Sequence, residues 1–189
     1  MVIPLIDPEA SETQTLDEIR EWHKGIVEAI VTQRGSVTAA ILNGSVVAQR
    51  FVGMTQTDID DYFDNLRREL DRLTVLSLVA SGEAAITIDY YRRVRGKLKD
   101  TLASAYRKWH KSLPRKKQLR PDFDQGGILE VMKRARIMDK NIIGRYRQCL
   151  RPRHWVGHGR FWQKPAEVDQ FDLDEIYDRI SALLNAIPK

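Results

Sequence analysis

TDIDDYFDNLRRELDRLTVL, the run from Thr57 to Leu76, decides the class of fold. Ile59, Tyr62, Phe63, Leu66, Leu70, Leu73 and Leu76 recur every three or four residues and fall on one stripe of a helix. Asp60, Asp61, Arg67, Arg68 and Asp71 lie largely outside that stripe. Downstream, Ser81-Gly82 predicts an end or interruption of this helix. Beyond it Ile86, Tyr90, Val94, Leu98, Leu102, Ala105 and Trp109 advance by three or four residues. That spacing predicts the longest rod of the chain, about 30 residues and roughly 45 Å, ended by Pro114.

Upstream, Thr15 followed three residues later by Glu18 forms a capping-box pattern, and Leu16, Ile19, His23, Ile26 and Ile30 then keep helical spacing until Gly35. Val37 to Val52 suits a helix in its first half and a hairpin or loop around Gly44 in its second, and we read it as helical. Residues 114–127 contain Arg115-Lys116-Lys117, Pro121 and Gly126-Gly127 without periodicity, which predicts an exposed basic loop. Ile128, Leu129 and Met132 predict a short helix. Asp139 can cap another carrying Ile142, Ile143, Tyr146, Cys149 and Leu150, which Pro152 ends or offsets. A connector from Gln163 to Gln170 leads to a last amphipathic helix, capped by Asp172 and carrying Ile176, Ile180, Leu183, Leu184 and Ile187. The expectation is one all-α domain over residues 1–189. It is an up-and-down bundle of five to seven helices with one long central helix and an irregular segment over residues 1–13.

The composition, with 42% apolar residues in 189, supports one sizeable core. A single cysteine, Cys149, leaves no disulfide framework, and the Met1 segment is too short and too early in charge for a secretion signal. We therefore expect a cytoplasmic protein. Charge interrupts every hydrophobic stretch before the roughly 20 residues needed to cross a bilayer, so no membrane span is expected. The net charge of +5 is segregated: Arg92 to Arg160 holds 21 Lys or Arg against 5 Asp or Glu, and the remainder holds 10 against 21. One strongly positive face is the expected result, and a phosphate backbone its natural partner, although an acidic protein would respond to the same field.

Inside this basic region Arg153-His154-Trp155-Val156-Gly157-His158-Gly159-Arg160-Phe161-Trp162 concentrates two cations, two imidazoles and three aromatics. The order of Arg153, His154 and His158 resembles the R-x4-H motif of the HEPN superfamily, whose members usually carry Asn, Asp or His after the arginine. The His-Gly-Arg-aromatic run is similar to branches associated with bacterial toxins and phage defence. The resemblance implies a compact helical bundle and a metal-independent endoribonuclease completed across a homodimer, with a toxin–antitoxin or phage-defence partner. It implies no cofactor.

The residue types suit that chemistry. Attack by a ribose 2′-hydroxyl on the adjacent phosphate needs proton transfer and charge stabilisation. His158 can exchange a proton near neutral pH, and Arg153 can hold phosphate oxygens in its planar fork. His154 is expected to position the reactive imidazole or contact a base or phosphate. Positions five apart are about 140° apart around a regular helix, so Arg153 and His158 would need a curled arginine, a loosened helix at Gly157 and Gly159, or a second copy to meet. Glu83 is a candidate to orient Arg153 or a histidine through a charge-assisted bond. Arg160, Arg151, Lys116 and Lys117 are candidate nucleic-acid contacts. His154 and His158 have zinc-ligand spacing, but no Glu lies between them and no Cys cluster completes a set, so no metal is expected. Trp155, Phe161 and Trp162 read better as packing than as base-stacking groups. His23, His110 and Cys149 read as structural.

Overall fold

A computed structural model describes residues 13–96, 98–160, 162–165, 168 and 172–188. Among these the chain is all-helical, with no strand. We label the helices α1 (Leu16–Leu42), α2 (Gln56–Arg95), α3 (Thr101–Ser112), α4 (Arg115–Leu119), α5 (Ile128–Ala135), α6 (Lys140–Gly157) and α7 (Leu173–Ala186); a short 3-10 turn spans Gln49–Phe51. The irregular segment expected over residues 1–13 lies almost wholly outside the described residues, as do Phe161 and half of the 163–170 connector.

Both long helices begin on capping boxes. Thr15 pairs reciprocally with Glu18, and Thr55 with Asp58, so two otherwise orphaned backbone donors are satisfied at each start. The 40-residue α2 is about 60 Å long and packs against α1, α3, α6 and α7. Ser81 Oγ donates to the Gln14 carbonyl, His23 bonds Asp71 and Arg34 bonds Asp60, which fixes α1 antiparallel to α2. The tip of this hairpin has its own small core of Ile30, Val37, Phe51, Ile59, Phe63 and Leu70, with Phe51, Tyr62 and Phe63 in mutual ring contact at 5.2–5.9 Å. The larger core gathers the second half of α2 with α3, α5, α6 and α7.

Four boundaries differ from the sequence reading. The longest helix is α2 rather than a rod centred on residues 86–109, and it passes through Ser81-Gly82 without interruption. Gly82 is buried there, and a Cβ on it would lie 2.7 Å from Ile180 Cγ2 and 3.4 Å from the Tyr146 ring and hydroxyl, so this glycine admits α7 and α6 rather than breaking α2. The break falls at residues 96–100, where Gly96 caps α2 and Asp100 Oδ1 accepts the Ala103 amide to start α3. Arg93, only 2% exposed, clamps the joint through Asp89 at 2.7 Å, Asp100 at 2.8 Å and the Pro188 carbonyl.

α1 likewise continues past Gly35 to Leu42, because Val37 packs into the tip core, while residues 43–48 are turn and coil. The basic segment expected as a loop contains the single-turn helix α4 at Arg115–Leu119, anchored by the Tyr91 hydroxyl donating to the Leu119 carbonyl. α6 runs through Pro152 for a further turn, with the proline ring buried. The hydropathy expectation also needs correction: an 18-residue window of α2 reaches a mean hydropathy of 1.2, apolar enough by length and composition to be a candidate span. It belongs to the helix whose Leu78, Val79 and Ile86 form the main core.

Candidate functional site

The motif occupies the last turn of α6 and its cap. Arg153 and His154 are helical, and His158 is the residue that caps the helix. The Gly159 amide donates to the Val156 carbonyl and the Arg160 amide to the Trp155 carbonyl, a Schellman closure with Gly159 left-handed at φ 83°. Arg160 continues in the same region at φ 61°. Gly159 is therefore a helix-end residue required by its backbone angle.

Arg153 stands on the face of α6 that carries Tyr146 two turns earlier, which directs it inward toward α2. Its Nη2 donates to Glu83 Oε2 at 2.7 Å. Burial pushes the Glu83 carboxyl above the ordinary glutamate range, and Arg153 opposes this. The Tyr146 hydroxyl and Arg153 Nε are both buried without a hydrogen-bond partner among the described residues. Burial raises the Tyr146 phenol well above its usual range, with Glu83 adding to the effect. Glu83, Tyr146 and Arg153 thus form a polar knot under the motif. Arg147, next in sequence to Tyr146, pairs with Asp124 before α5 and Glu130 within it, with Nε 2.6 Å from Asp124 and Nη2 3.1 Å from Glu130.

The imidazoles lie outside this knot. His154 and His158 are exposed, with ring centroids 6.1 Å apart, and His158 lies 6.0 Å from the Trp162 ring. Partial desolvation, then the charges of Arg153 and His158, hold the His154 imidazole below the ordinary histidine range, with Asp124 opposing. A neutral ring with a free lone pair is the result at neutral pH. Among the described residues no contact joins Arg153 to His158. The structure instead brings Arg153 to Glu83 and His154 to His158. Among the described residues no group of three or more His, Cys, Asp or Glu is gathered as a metal site would need.

The expected nucleic-acid contacts separate. Arg160 faces a carboxylate: Nη1 donates to Glu69 Oε2 at 2.8 Å, Nη2 to Oε1, and its guanidinium lies 5.6 Å over the Trp155 ring. Arg160 holds the Glu69 carboxyl below its usual range. Lys117 pairs with Asp122 at 2.6 Å, whereas Lys116 and Arg151 are exposed on different elements. Trp155 is buried and donates its indole N–H to the Trp162 carbonyl at 3.1 Å, a packing role. His23 and His110 are partnered by Asp71 and the Tyr90 hydroxyl, and Cys149 is buried with its thiol pushed up to about 11.

Two contributors escaped the sequence reading. Tyr146 looked like one more apolar stripe residue, although its heptad spacing to Arg153 was a usable signal. Glu69 sits fourteen residues before Glu83 on α2, so two carboxylates four turns apart receive the two motif arginines as α6 descends antiparallel. No family model matches the chain, and neither a curated protein nor a solved structure matches it.

Proposed function

We propose that this protein is a HEPN-type, metal-independent endoribonuclease that cleaves RNA through attack of a 2′-hydroxyl on the neighbouring phosphate. The observation that carries the reading is a guanidinium held by Glu83 beneath two exposed imidazoles 6.1 Å apart. In this scheme His158 exchanges the proton of the attacking hydroxyl, His154 positions it or serves the leaving oxygen, and Arg153 offers charge to the phosphate. Two imidazoles in one chain supply both an acid and a base. A homodimer that apposes two motif turns would add a second guanidinium to each site, and a cytoplasmic antitoxin or phage-defence partner would restrain the activity.

The test is the purified protein on mixed RNA in the presence of chelator. The expected products end in cyclic phosphate, and His158→Ala should lower the rate roughly hundredfold or more. Arg153→Ala should lose rate while keeping its thermal melt. Equal cleavage by wild type and His158→Ala removes that histidine from the mechanism.

A second reading draws on the Glu83–Arg153 pair itself. A guanidinium whose charge is already met by a carboxylate, with Nε buried, suits a non-catalytic HEPN module that binds RNA, a nucleotide or a protein. RNA binding without turnover, unchanged by His158→Ala, would select it.

A further inference from the structure

A cavity of about 490 Å³ opens between α1, α2, the end of α6 and the start of α7. Each helix contributes one stripe. From α1 come Arg20, His23, Lys24 and Val27, and from α2 Arg67, Arg68, Asp71, Arg72 and Val75; Pro152 and Val156 come from α6. The volume lies within the range of pockets that hold small molecules. Its aliphatic lining comes from Val27, Val75, Pro152 and Val156, and its cationic lining from Arg20, Lys24, Arg67, Arg68 and Arg72.

Five cations line the cavity against three carboxylates, Asp71, Asp172 and Asp174. Asp71 is engaged twice, by His23 Nε2 at 2.7 Å and Arg67 Nε at 3.0 Å, and Asp174 takes Arg20 at 3.0 Å. Asp172 is held at the α7 cap by the Glu175 amide. Among the described residues Arg68 bonds the Asp64 carbonyl and the Asn65 amide oxygen, and Arg72 pairs with Glu69 at 3.6 Å. Two guanidiniums one helical turn apart therefore line the cavity, Arg68 with no carboxylate partner among the described residues and Arg72 in a long pair with Glu69. His23, 6% exposed, is fixed beside them by Asp71.

Guanidinium forks recognise phosphate oxygens in two-point contact, and an aliphatic wall beside them suits the ring of a nucleoside. We propose that this cavity binds a small phosphorylated ligand of nucleotide size, with Arg68 and Arg72 on the phosphate and the Val75–Pro152–Val156 wall against the base. Neither Arg153 nor His158 lines the cavity, although Arg72 shares Glu69 with Arg160 and lies 5.9 Å over the Trp155 ring, and the proposal does not depend on the ribonuclease reading.

Calorimetric titration of the full chain with adenosine 5′-monophosphate tests it, with adenosine and a short single-stranded RNA as companions. Saturable binding of the nucleotide is expected, weakened by about tenfold or more for adenosine and for Arg68→Ala, and unchanged in Arg153→Ala. Arg68 is exposed, so its truncation leaves the fold intact, and Arg20→Ala serves as an independent second variant. Absence of saturable binding at millimolar nucleotide overturns the proposal, as does binding indifferent to both cavity variants. RNA that binds while the nucleotide does not, with the same variant sensitivity, would make the cavity part of a polynucleotide track and overturn the small-ligand assignment.

Discussion

Replacing Gly82 by alanine separates two effects that glycine substitutions in helices usually mix. In an open helix position the change is stabilising, because alanine costs less conformational entropy, by roughly 0.5–1 kcal/mol. Gly35 in α1 is such a position: a Cβ there meets nothing within 4 Å. At Gly82 the same gain is opposed by a Cβ only 2.7 Å from Ile180 Cγ2, well inside ordinary carbon contact. Ile180 is fully buried, and its Cγ2 is a branch on Cβ that cannot swing aside without turning the side chain. Relief requires α7 to retreat or Ile180 to leave its rotamer, at about 1–3 kcal/mol. The difference between Gly35→Ala and Gly82→Ala cancels the shared helix gain and should equal that packing cost.

Urea midpoints read this difference directly, and thermal melts should separate the two variants by roughly 2–4 °C for each kcal/mol in a chain of this size. Gly35→Ala should melt above the parent and Gly82→Ala below it or level. Trimming the opposing methyl with Ile180→Ala should make the Gly82→Ala increment more favourable than in the parent, a coupling that a double-mutant cycle measures. If Gly82→Ala stabilises as much as Gly35→Ala, the close approach of α7 to α2 is wrong, and with it the account of why α2 passes through residue 82.

Other consequences can be checked on the same protein. Arg160→Ala should cost only about 1 kcal/mol, since its pair with Glu69 is partly exposed, and Arg160→Gly should recover part of that loss because Arg160 sits at φ 61°; paired melts compare them. The His154 imidazole is held below its ordinary 6.5, so the unfolded chain binds more protons between the two values. Stability should fall as pH drops through that window, and His154→Gln should flatten the fall in a pH series of urea melts. Glu83 has the opposite sign: its carboxyl is held above the ordinary 4.5, so the folded chain keeps a proton longer and stability should decline as pH rises from 4.5 through the raised value. Glu83→Gln should remove that decline.

The helices were legible because they are amphipathic, and amphipathicity is written locally. Thr15 with Glu18, Asp139 and Asp172 announced three starts that the structure has. The second long start reads at Thr57, one residue inside the observed Gln56, but without its cap, because Thr55 closes its box with Asp58 instead of Glu or Gln. Gly82 misled for a different reason. Its function is to admit Ile180 from nearly a hundred residues away, and a residue selected for a tertiary contact looks from within its own segment like a breaker. At residues 96–100 the local signals, a glycine followed by an aspartate cap, were present, but the apolar spacing from Ile86 to Trp109 runs across them unbroken.

Charge illustrates the deeper limit. Counted along the chain, Arg92 to Arg160 is strongly cationic, yet Arg93, Arg147, Arg153 and Arg160 are each met by carboxylates, three of which, Asp89, Glu83 and Glu69, lie upstream on α2. The cavity between α1 and α2 is built the other way round. Its Arg20, Lys24, Arg67, Arg68 and Arg72 come from the part of the chain in which acidic residues outnumber basic ones. A field at a surface depends on which charges remain uncompensated after folding, and compensation here is set by the antiparallel register of α1, α2 and α6. The motif turn thus brings Arg153 and Arg160 to carboxylates of α2 and leaves its imidazoles exposed to solvent. The cations that line the cavity, Arg68 and Arg72 among them, lie on a face that no linear count singles out.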